Sequence, residues 1–184
     1  MSESLENQRV IEATRQWLER VVIGLNLCPF AGLPWRQGRV RITVSEATQQ
    51  QQLAQDLADE LLTLQASDPA ERETTLLIHP HVLGDFLDYN DFLDLADRLL
   101  EDLALDGILQ IASFHPDYQF ADSDQDDPAN CTNRSPYPML HLLREASIEA
   151  ATANLPNPKI IFERNIKTLQ DLGVNRLKDL MKFS

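Results

Sequence analysis

Thr74-Thr75-Leu76-Leu77-Ile78-His79-Pro80 and Ile108-Leu109-Gln110-Ile111-Ala112-Ser113-Phe114-His115-Pro116 decide the fold class. Each is a short, nearly continuous apolar run that stops at a His-Pro pair. Such runs read as buried-type strands, because a strand with one face in water alternates apolar and polar residues. Between them, Asn90 or Asp91 is expected to cap a helix with Phe92, Leu95, Leu99 and Leu103 inward. Asp106-Gly107 then turns the chain into the later strand. Upstream, Arg39 to Ser45 alternates, with Val40, Ile42 and Val44 on one face and Arg41 and Thr43 on the other. That is a half-buried strand suited to a sheet edge. Thr48 with Gln51 has capping-box spacing and opens a helix striped by Leu53, Leu57, Leu61 and Leu64, which Asp68-Pro69 closes. Strand, helix, strand, helix, strand predicts an α/β fold with three parallel strands and right-handed helical crossovers.

The flanks extend this reading. A first helix is expected from about Leu5 to Leu25, with Val10, Trp17, Val21 and Leu25 on one face. Gly24 and Pro29 mark its end, and Leu27-Cys28-Pro29-Phe30-Ala31 is expected to tuck against the core. Asp117 to Pro138 is a long polar loop, of a length that is functional or disordered inside a compact domain. Met139 to Arg144 fits a fourth strand, since prolines 136 and 138 precede it. It also fits the start of a helix continuing through Ile148, Ala151 and Leu155, and the strand is the preferred reading. Asn157-Pro158 is an N-terminal signal for a last long helix carrying Ile161, Ile166, Leu169 and Leu172. Gly173 stops it, and Asn175 begins a short tail helix. No linker interrupts the chain, so residues 1–184 read as a single small α/β domain with helices at both ends and a long loop at 117–138.

Composition excludes several classes of function. The 184 residues are 43% apolar and 24% charged, which is globular and not disordered. Sixteen Lys and Arg against 29 Asp and Glu give a net charge of -13. Nucleic acids and anionic membrane surfaces would repel such a chain, so neither is an expected partner. Between Asp85 and Asp127 the one cation is Arg98, a pattern read as a solvated helix face followed by an acidic loop. No apolar stretch is long enough to cross a membrane, and Met1 to Arg9 lacks a signal-peptide core. A cytoplasmic location is therefore expected, with Cys28 and Cys131 as thiols.

Ligands of open parallel sheets sit beyond the carboxyl ends of the strands, where His79, His81 and His115 fall. If the second and third strands are neighbours, His79 and His115 face one crevice. His115 would be a general acid or base, because imidazole titrates near neutrality. Asp117 would orient it, with Tyr118 and Phe120 as an apolar wall. Arg134, stiffened by prolines and next to Asn133, would clamp a carboxylate or phosphate; its structural alternative is a bridge to the acidic loop. His141 and Arg144 are further candidates for holding a substrate. Cys28 is either a nucleophile or a small buried hydrophobe.

Cys28, His79, His115 and His141 are conceivable soft-metal ligands. They lack any tight ligand spacing, and no metal is assigned. Asp122 to Asp126 resembles a calcium loop only superficially, since Asp127 stands where glycine is needed and Asn133 where the bidentate Glu belongs. The six glycines are all isolated, which argues against a nucleotide-cofactor loop, and no other cofactor is indicated.

Five segments together resemble one bacterial family, domain of unknown function 1415. They are 22–31 (Val22 to Ala31), 88–93 (Asp88 to Leu93), 113–116 (Ser113 to Pro116), 133–138 (Asn133 to Pro138) and 140–145 (Leu140 to Glu145). The resemblance runs from about Val10 to Leu172. It implies a single-domain bacterial protein of the cytoplasm and carries over no activity, cofactor or catalytic residue. It also sets Cys131 where the family pattern has an aromatic residue, which speaks against a catalytic Cys131.

The leading expectation is an enzyme acting on a small anionic metabolite through His115 and Arg134. The alternatives are a metal-binding or redox-sensing protein using Cys28 and the histidines, and a non-catalytic acidic interaction module.

Overall fold

The computed structural model describes residues 5–153, 157 and 159–183. Four strands form one sheet: β1 (Val40–Val44), β2 (Thr74–Ile78), β3 (Leu109–Phe114) and β4 (Met139–Arg144), in the order β1-β2-β4-β3. β1 and β2 pair in parallel, while β4 is antiparallel to both β2 and β3. The expected row of three parallel strands is corrected here, because β4 lies between β2 and β3. The slot demands a segment apolar on both faces, and Met139, Leu140 and Leu142 meet that demand with 0% exposure. An antiparallel neighbour needs no helical crossover, so the loop before Met139 suffices to bring the chain back. Met139–Arg144 is thus a strand, and the helix begins immediately after it.

The helices are α1 (Leu5–Trp17), α2 (Gly32–Arg36), α3 (Gln50–Ala66), α4 (Phe86–Asp102), α5 (Glu145–Thr152), α6 (Lys159–Leu172) and α7 (Val174–Leu180). A π-helical stretch, Leu18–Ile23, continues α1. Strand side chains alternate between faces, which divides the core in two. On one face Leu53, Leu57, Leu61 and Leu64 of α3 and Tyr89 and Phe92 of α4 pack on Leu77, Leu140 and Leu142. On the other, Val10, Trp17 and Val21 join Leu169 and Leu177 over Leu76, Ile78 and Met139.

Several boundaries differ from the expectation. α4 starts at Phe86, and its cap is Asp85, whose carboxylate accepts from Leu87 N–H at 2.8 Å and Asp88 N–H at 3.2 Å. Asn90 and Asp91 lie inside the helix. Its buried stripe is accordingly Tyr89, Phe92, Ala96 and Leu100, with Leu95, Leu99 and Leu103 at the margin. Ahead of α3, Thr48 N–H reaches Gln52 Oε1 at 3.0 Å, one residue beyond the Gln51 that spacing suggested. Asn157 accepts from Lys159 N–H at 3.0 Å. Leu155 and Pro158, named in the sequence reading, lie outside the described residues. Gly173, at φ +77°, ends α6 in the left-handed region that favours glycine.

The 117–138 loop has its own order. A 3-10 turn spans Pro128–Thr132, and buried Asn130 is the hub. Its Oδ1 accepts from Phe120 N–H at 3.0 Å and Ser123 O–H at 2.8 Å, and its Nδ2 donates to Asp124 O at 2.8 Å.

Candidate functional site

The two strand-exit histidines occupy one neighbourhood although their strands are not adjacent. Tyr89 mediates, with its ring centroid 5.8 Å from that of His79 and 5.1 Å from that of His115. Its hydroxyl donates to Met139 O at 2.8 Å and accepts from Phe114 N–H at 3.0 Å, which ties α4 to β3 and β4. Both imidazoles are 0% exposed. His115 Nδ1 accepts from Asp117 N–H at 3.0 Å, so the proton sits on Nε2, which donates to Leu83 O at 3.2 Å. His79 Nδ1 meets Val82 O at 3.0 Å, and its Nε2 is buried without a partner. Burial holds His79 down at about 4 and lowers His115, which keeps both neutral. The Asp117 side chain is exposed, and it is the Asp117 backbone that touches the His115 ring.

Arg134 is turned to the loop. Its Nε donates to Tyr118 O at 3.1 Å and its Nη2 to Gln125 O at 2.7 Å, while Trp17 Nε1 donates to Arg134 O at 3.0 Å. Asn133 Nδ2 donates to Ser113 O at 3.1 Å. Arg144 Nη2 lies within 2.8–2.9 Å of Leu64 O, Ser67 O and Arg72 O, tying β4 to the end of α3 and the loop that follows it. Burial raises the Cys131 thiol, with Arg134 opposing.

A cavity of about 530 Å³ lies on the sheet face that α1 covers. Its floor is made by Val40, Leu76, Ala112, Phe114, His141 and Leu143, one residue in two along each strand. Trp17, Val22, Cys28, Phe30 and Trp35 form one wall, and Ile148 and Ala151 of α5 form another. The Arg39–Glu73 ion pair, at 2.9 Å, lies among the lining residues. Of the sequence candidates, Cys28, His141 and Arg144 line this cavity, while His79, His115, Asp117, Asn133 and Arg134 do not. The Arg144 guanidinium is engaged at the end of α3, on the opposite face of the sheet. Sequence reasoning missed Thr74, Trp17 and Trp35 as lining residues. Trp17 read only as part of an apolar helix face, Trp35 carried no signal, and Thr74 gains meaning from the β2–β4 register, which no local pattern encodes. Among the described residues, no group of three or more His, Cys, Asp or Glu is placed to hold a metal ion. No described helix is long and apolar enough to cross a membrane.

Fold and site together define a mixed α/β protein with one sheet face sealed by two long helices and the other enclosing an apolar chamber. The family model described as "Protein of unknown function (DUF1415)" matches residues 9–179, and the chain belongs to that family. No curated protein and no solved structure matches it.

Proposed function

We propose that this protein binds a small, largely apolar molecule in the chamber above the sheet. The observation that carries the reading is the cavity itself: about 530 Å³, walled almost wholly by aliphatic and aromatic side chains. That volume lies within the usual range for small-molecule pockets, and the few polar groups among apolar walls match their usual chemistry. Turnover of an anionic metabolite through His115 and Arg134 has less support. Both His115 nitrogens and the Arg134 guanidinium are engaged by main-chain groups, so neither side chain offers the free proton site or anion fork that this reaction needs. A metal or redox role draws on Cys28 and histidines that the fold divides between the cavity and the Tyr89 cluster. An acidic interaction module rests on charge alone.

The chain has two tryptophans, and both line the cavity. Indole emission therefore reports an occupant directly. Titration with N-phenyl-1-naphthylamine, a neutral probe bright in apolar surroundings, should give saturable binding at one site with a matching change in indole emission. Ala112→Phe fills the floor and should abolish that binding while circular dichroism shows the fold intact. Wild-type protein that does not bind the probe, or a folded Ala112→Phe variant that binds it unchanged, would overturn the reading.

A further inference from the structure

The cavity floor carries one imidazole, and the inference drawn from it rests on the binding reading just given. His141 lies on the central strand β4, opposite Leu76 of β2 and Ala112 of β3, and lines the cavity floor. Its Nε2 is 2.7 Å from Thr74 Oγ1. Thr74 has a single hydroxyl proton, and Leu142 O, 2.6 Å away, can only accept it. Oγ1 is then an acceptor towards the ring, so the ring proton belongs to Nε2. A neutral imidazole carries one N–H, which leaves Nδ1 as a bare lone pair. Among the described residues, none hydrogen-bonds to Nδ1. Of the cations among the lining residues, Arg39 is paired with Glu73, and Arg144 directs Nη2 to Leu64 O, Ser67 O and Arg72 O on the α3 side of the sheet, with its Nε buried without a partner.

We infer that His141 is a specificity-determining acceptor: the cavity takes an apolar molecule bearing a neutral hydroxyl or N–H donor and discriminates against a carboxylate of the same shape. A donor group on the ligand completes the hydrogen bonding of the ring. A carboxylate would meet a lone pair in an apolar chamber whose nearest cations are held in the Arg39–Glu73 pair and, for Arg144, on the α3 side of the sheet, and so would lose hydration with little in return. Burial keeps the ring neutral, at about 4, so it stays an acceptor at neutral pH. Thr74 acts through the ring and is a positioning residue.

Three probes of one skeleton test this by calorimetric titration: 2-naphthol, 2-methylnaphthalene and 2-naphthoate. The quantity read is the affinity ratio of naphthol to methylnaphthalene, compared between wild type and His141→Leu, because that double ratio cancels the different hydrophobicity of the probes. It should fall roughly tenfold in the variant, the usual worth of one hydrogen bond made in place of water. Naphthoate should bind the wild type more weakly than naphthol. Thr74→Val should lower the ratio with little effect on methylnaphthalene, and the nitrogen-15 shifts of His141 should show its fixed tautomer released. An unchanged double ratio, or naphthoate as the tightest ligand, overturns the inference while the cavity still binds. Failure of all three probes removes the binding reading along with it. The wild-type series and the ring shifts need no substituted protein, so the inference remains falsifiable if a variant does not fold.

Discussion

His79 and His115 end their strands by holding main-chain carbonyls of one connection. His79 takes Val82 O and His115 takes Leu83 O, both in the link from β2 to α4. Leu83 stands at φ +58°, a left-handed conformation that costs a branched side chain about 1 kcal/mol or more, and the ring of His115 holds its carbonyl there. The dry interior favours neutral rings, and His115 Nδ1 can accept from Asp117 N–H only while unprotonated, which makes the fold sensitive to acid. Burial lowers His79 and His141 to about 4 and also lowers His115, whereas an unfolded chain protonates near 6.5. The unfolded state therefore takes up protons that the folded state refuses. Stability is full above about pH 6.5 and is lost as the pH falls toward 4. Urea unfolding at a series of pH values from 7.5 to about 4.5 should show a falling free energy, with a slope of one or more protons taken up on unfolding, shallower in His79→Phe. A flat profile would count against neutral buried imidazoles. The positions of these histidines were legible in the sequence as strand exits. Their roles were not, because which carbonyl comes within reach is decided by the return of a connection that no local pattern specifies. Arg144 repeats the point: it was visible as a candidate, and carbonyls 72 to 80 residues earlier in the chain engage it.

Elements with a strong internal period were readable, and those defined by their neighbours were not. Leu53, Leu57, Leu61 and Leu64 of α3 recur at helical spacing and are fully buried. The limits of β2 follow its apolar run residue for residue. β4 is short and apolar on both faces, so its place beside β2 and β3 depends on what those strands leave open. The end of α1 is another tertiary matter. Its last turns widen into a π-helix, and Leu27 N–H returns to Val22 O at 2.9 Å, five residues back. Gly24 sits against that turn, where a Cβ would press on Arg20 O and lie 2.8 Å from Glu19 O. Backbone atoms cannot yield as a flexible side chain would. Gly24→Ala should therefore cost about 1–3 kcal/mol in urea unfolding and weaken naphthylamine binding by displacing Cys28 and Phe30 in the cavity wall. Unchanged stability would mean that the turn relaxes freely.

At the scale of the molecule, charge is the term most plainly read from composition. Asp88, Asp91, Asp94, Asp97, Glu101 and Asp102 are all exposed along α4, and several are three residues apart. Like charges at that spacing repel, and Arg98 alone offsets them on this helix. Added to a net charge of -13, this repulsion should be relieved by screening. Raising sodium chloride from about 20 mM to about 0.5 M should increase the melting temperature by several degrees; a decrease would show that the Arg39–Glu73 and Arg41–Glu60 pairs outweigh the repulsion.

The place of β4 has a consequence for how the molecule is made. The last of the four described strands in chain order occupies an inner position in the sheet, with partners about 30 and 65 residues earlier in the chain. A nascent polypeptide emerging up to Pro138 holds β2 and β3 with no common neighbour, their inner edges unpaired and open to wrong pairing. Assembly must wait until Met139–Arg144 has left the ribosome, and closing such distant contacts is slow. His141 arrives on that same closing strand, so a truncated product has neither a finished sheet nor the group that would recognise a ligand.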